Sequence, residues 1–133
     1  MGYARTVRVH AGFARTVDAA RQALASQGFG VLTEIDVAAT LKSKIGRDME
    51  DYVILGACNP QLAERALDID RDIGLLLPCN VVVRTEGSTT VVQALDPATM
   101  VTSTGLDAMS AVADEATRRL DIALAQLAEE LNR

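Results

Sequence analysis

At 133 residues, 49% hydrophobic and 23% charged, the chain has the size and composition of one folded domain (1–133), large enough to stay folded without a disulfide or metal and too apolar to be disordered. A net charge of −5 with no run of Lys or Arg argues against a nucleic-acid partner. No apolar stretch approaches the ~20 residues that span a bilayer, which argues against a membrane partner.

In chain order, Tyr3 to Phe13 reads as a first strand, with Val7, Val9, Ala11 and Phe13 alternating against Arg8, His10 and Gly12. The same stretch has no signal-peptide shape, so a cytoplasmic location is expected. Met1-Gly2 with Thr6 fits a myristoylation pattern only loosely. A helix follows, capped by Thr16, with Val17, Ala20 and Leu24 on one face, and Gly28 ends it. The second strand covers Phe29 to Ile35, with Val31, Thr33 and Ile35 facing one way. Asp36 then caps a short helix carrying Val37, Leu41 and Ile45, which stops at Gly46.

A third strand runs from Tyr52 to Cys58 and breaks at Asn59-Pro60, a cap followed by a proline in the first helical turn. After that helix, Leu75 to Pro78 leads into a strand through Val81 to Val83. Glu86-Gly87 turns the chain into a last strand, about Thr89 to Leu95. Asp96-Pro97 starts another short helix. A long C-terminal helix carries Leu106, Met109, Ala113, Ala116, Leu120, Leu124, Leu127 and Leu131 at steps of three or four. The order β-α-β-α-β-α-β-β-α-α predicts a two-layer α+β fold. Its sheet is mainly antiparallel, with helices on one face and the long last helix among them.

Three runs in this order carry a family resemblance. Gly28 to Val37, with Ala39 to Lys42, is similar to the first signature of the bacterial and archaeal family called domain of unknown function 302. Ile54 to Pro60 resembles its second and Ile73 to Val83 its third, and Asp96-Pro97 resembles the step into its last helices. The resemblance covers about Thr16 to the C-terminus. It implies a fold related to the TATA-binding-protein-like architecture and a homodimer. It implies no activity and no DNA binding, since function is not fixed by fold.

The chemistry-bearing feature is a doubled Cys-Asn. Cys58-Asn59 ends a strand at a helix start, where free backbone N–H groups favour a thiolate. Cys79-Asn80 begins the next strand. Without a secretion signal both cysteines are expected as free thiols in a reducing compartment. If strands three and four pair, both could reach one rim, with Asn59 and Asn80 as hydrogen-bond donors. The bland reading is two small core residues and a helix cap. Soft-metal binding is weak, because His10 is the only histidine and two thiolates need further ligands. Glu34 and Lys42 form a second candidate pair, able to serve as acid and base or simply as a surface ion pair. There is no phosphate loop, no dinucleotide fingerprint and no nucleophile elbow.

Three readings follow. The first is a small-ligand-binding homodimer with its site at Cys58, Asn59, Cys79 and Asn80, flanked by Glu34 and Lys42. The second is a thiol-based sulfur or persulfide carrier, with Cys58 attacking and Cys79 resolving. The third is a structural or partner-binding module. No cofactor and no metal are implied, and whether the chain catalyses a reaction stays open at this stage.

Overall fold

The computed structural model describes residues 2–133; Met1, and with it the acylation pattern, lies outside the described residues. The elements are β1 (Ala4–Val9), α1 (Phe13–Ser26), β2 (Gly30–Asp36), α2 (Val37–Ile45), β3 (Tyr52–Cys58), α3 (Pro60–Ile69), β4 (Cys79–Glu86), β5 (Thr89–Leu95), α4 (Thr99–Thr104) and α5 (Ser110–Leu131). Short 3-10 turns at Arg71–Leu76 and Asp107–Met109 precede β4 and α5. The five strands form one sheet in the order β1-β5-β4-β3-β2, and every neighbouring pair is antiparallel. This is the expected α+β architecture.

Strand alternation decides which side is covered. Val53, Leu55 and Ala57 of β3 lie opposite Val83, Val81 and Cys79 of β4. With Val92 and Ala94 of β5 and Val9 of β1, these aliphatics enter one buried cluster with Ala19, Ala20 and Leu24 of α1 and Leu120, Leu124, Leu127 and Leu131 of α5. A second cluster joins Leu62 and Ala66 of α3 to Ile73, Met109, and Val112 and Ala116 of α5. The long helix therefore belongs to both. On the other face of the sheet Ile54 and Val82 are half-buried and Ile35 is half exposed.

Several local signals act as expected. Asp36 Oδ1 accepts from Ala39 N at 2.9 Å and caps α2, which ends at Gly46 with φ +70°. Asn59 Oδ1 accepts from Leu62 N, with Pro60 as the first residue of α3. The β4–β5 hairpin pairs Glu86 with Thr89 across Gly87, whose φ is +58°.

The start of the chain differs from expectation. β1 stops at Val9, and Phe13 opens α1 instead of closing the strand. Thr16 is not the cap. It is fully buried inside the first helical turn, and its hydroxyl donates to the Gly12 carbonyl at 2.8 Å. β2 also differs. Its register with β3 shifts between Val31 and Thr33, leaving Leu32 as the extra residue of a bulge. Val31 consequently sits on the helix side, opposite Ala57, while Thr33 and Ile35 sit on the open side, opposite Gly56 and Ile54.

Candidate functional site

β3 ends and β4 begins at the same edge of the sheet, and α3, α4, the Arg71–Leu76 turn and the first half of α5 close over that edge. They leave an apolar pocket of about 60 Å³, bordered by residues including Phe29, Ala57, Leu62, Ala66, Met100 and Val112. Cys58, Asn59 and Cys79 also border it. Cys58-Asn59 and Cys79 therefore border one cavity, although the cysteines stand 21 positions apart in the chain.

The two cysteines are not cross-strand partners. Strands β3 and β4 do pair, but the register sets Cys79 opposite Ala57, not opposite Cys58. Cys79 thus shares the helix side with Ala57, while Cys58 ends β3 at the rim of the same pocket. Both cysteines are free and partly buried. Burial pushes the Cys79 thiol up to about 11, so it stays protonated near neutral pH and is a poor nucleophile there. A resolving thiol that stays protonated is slow to exchange, and the carrier reading gains no support.

Asn59 is buried and committed to capping α3 through Oδ1. Its amide group also presses on the turn after α1. Gly28 there has φ +84°, and a Cβ on it would stand 2.9 Å from Asn59 Nδ2. Arg119 of α5 reaches the same turn, donating from Nη1 to the Gln27 carbonyl at 3.2 Å while Nε holds Glu115. Arg118 first, and Arg119 second, hold the Glu115 carboxyl down at about 2. The rim beside Asn59 is therefore fixed by α1, α3 and α5 together.

The remaining candidates lie apart from the pocket. Asn80 is exposed on the open side, opposite Gly56. Glu34, on the helix side of β2, takes Arg21 of α1 as its partner, and Lys42 takes Asp48 at 2.7 Å. The expected Glu34–Lys42 pair does not form, because each has a nearer opposite charge. His10 is exposed, and among the described residues no three His, Cys, Asp or Glu side chains cluster as metal ligands would. No helix among the described residues is long and apolar enough to cross a membrane.

Sequence reasoning missed the α3, α4 and α5 lining. Ala63, Thr99, Met100, Val112 and Ala116 join the site only through tertiary packing. The one local hint was Asp96-Pro97, which forms the turn ahead of α4 and not its cap: Asp96 Oδ1 accepts from Ala98 N at 2.9 Å, while Ala98 is the N-cap.

The raised Cys79 thiol has a measurable consequence. The folded protein keeps a proton that the unfolded chain releases at lower pH, so this group's stabilisation is complete below the ordinary thiol range. It is lost as pH climbs through about 11. In a Cys58→Ser variant at pH 7.5, Cys79 is expected to resist iodoacetamide until urea unfolds the chain. Rapid alkylation of the native variant would show an accessible thiolate and remove the burial argument.

The family model described as "Domain of unknown function DUF302" matches residues 5–127 of the chain. Among solved structures, the uncharacterized conserved protein DUF302 from Bacillus stearothermophilus superposes with a TM-score of 0.86 at 32% identity, over 99% of this chain and 100% of that one. No curated protein matches the sequence significantly.

Proposed function

Since the chain belongs to the domain of unknown function DUF302 family, we propose that it binds a small molecule in the pocket where Cys58-Asn59 and Cys79 converge, and that it does so as a homodimer. The observation that carries the binding reading is the pocket itself: a concave, largely apolar site at the junction of sheet and helices, built from separated signatures of the sequence. Its rim is held by the Asn59 cap and the Arg119 contact to the α1 turn, so the site is preformed and binding would require little ordering.

Self-association is supported by a separate surface. β2 is an edge strand, α2 beside it has no buried residue, and Leu32, Ile35 and Ile45 are 68%, 50% and 74% exposed. Charges of both signs follow one another there, with Lys42, Lys44 and Arg47 ahead of Asp48, Glu50 and Asp51. A two-fold copy of the same face would match such an arrangement to itself.

Native mass spectrometry of protein taken directly from cells tests both parts. The expected spectrum shows a dimer carrying a retained small organic molecule. The molecule is lost in Ala63→Leu, which fills the pocket, and the dimer is lost in Ile45→Glu. A bare mass for the wild-type protein, together with no thermal shift across a panel of uncharged metabolites, would end the binding reading. A monomer at micromolar concentration would end the dimer.

A further inference from the structure

Resting on the binding reading above, we infer that the occupant of this pocket is the uncharged end of an unbranched aliphatic chain. Two features of the lining carry this: among the described residues it holds no charged side chain, and its volume is small.

No Lys, Arg, His, Asp or Glu borders the cavity. Two of its side-chain oxygens are engaged with the backbone. Asn59 Oδ1 accepts from Leu62 N at 3.2 Å, and Thr99 Oγ1 donates to the Asp96 carbonyl at 2.8 Å. Cys79 adds a thiol that stays neutral. A carboxylate or phosphate placed here would lose its water and gain no counter-charge, a penalty of several kcal/mol. An apolar group loses nothing of the kind.

The volume narrows the class further. Cavities of about 150 Å³ accept a benzene ring, whereas this one is about 60 Å³. A ring is too wide for it, but the last two or three carbons of a straight chain fit, with the polar remainder of the molecule outside. The softest wall is α4. It is a six-residue helix without a buried residue, and it contributes Met100, a flexible side chain that can yield to a passing chain.

Titration followed in 1H–15N and methionine-methyl spectra tests this with two isomers of one formula, 1-pentanol and 2-methyl-2-butanol, and with benzyl alcohol. Expected are saturable shifts at Ala63, Ala66 and Met100 with 1-pentanol, and at least ten-fold weaker binding of the branched isomer and of benzyl alcohol. Ala63→Leu, at a half-buried position, should abolish the 1-pentanol shifts; Ala66→Val is the second pocket-filling variant should the first fold poorly. Met100→Ala should widen the cavity and admit benzyl alcohol.

If the branched isomer or benzyl alcohol binds wild type at these residues as well as 1-pentanol does, the chain-end inference falls while the pocket remains a binding site. If no probe moves Ala63, Ala66 or Met100, the binding reading falls with it. If Met100→Ala gains no ring binding, the volume argument is overturned.

Discussion

Replacing Leu120 by alanine is expected to cost about 2–5 kcal/mol of folding stability, the largest effect of any single truncation considered for this chain. Leu120 has no exposed surface and lies on α5 among the residues that cover the sheet. Its removal takes away both the transfer free energy of the side chain and the contacts of those that line the resulting void. The neighbours on α5 are small or already engaged: Ala116 and Ala123 cannot extend, and Leu124 fills its own place against the sheet. Relaxation is therefore limited. Because a typical domain is stable by only about 5–15 kcal/mol, such a loss approaches global unfolding. Urea melts should show a much lower midpoint with an unchanged slope. A shift of less than about 1 kcal/mol would mean that α5 does not seat on the sheet as described.

Gly56→Ala is expected to cost about 1–3 kcal/mol for the opposite reason, excess volume where no room exists. Gly56 lies in the middle of the sheet with its missing side chain directed at the open side, yet it is buried. A methyl group there would overlap the Thr33 hydroxyl and stand 3.0 Å from Pro78 Cγ. Thr33 is β-branched and its rotamer choices are few, so it cannot simply swing aside. Removing that hydroxyl should restore part of the loss. The Gly56→Ala/Thr33→Ala double variant is expected to be more stable than the sum of the two single changes by at least about 0.5 kcal/mol. Strict additivity would place the strain elsewhere.

Much of the fold was legible because local chemistry and global packing agree. Asp36 and Asn59 each cap the helix they precede, Asp96 holds the turn that leads into α4 without being its cap, and the hairpin at Gly87 follows the turn chemistry. The stripe from Ala113 to Leu131 is the buried face of α5. Where legibility failed, a single residue reversed a pattern. Phe13 continues the alternation of β1 but sits against the core from the first turn of α1, since Val9 has already ended the strand. Leu32 inserts one residue into β2, which carries Val31 to one side and Thr33 to the other.

The site was half legible for the same reason. Cys58-Asn59 at a strand end and Cys79 at a strand start border one pocket, while Asn80 does not. Nothing in the sequence states the register, which pairs Cys79 with Ala57 instead of Cys58. The partners chosen by Glu34 and Lys42, Arg21 and Asp48, were invisible for a simpler reason: any nearby opposite charge satisfies a solvent-exposed ion.

α5 is one continuous rod whose first turns wall the cavity and whose later turns roof the strands. The chain thus has no seam along which the cavity half could loosen while the strand half stayed intact. Whatever free energy an occupant supplies is felt along the whole rod and so by the entire molecule, as mass action requires of anything that favours the native state alone.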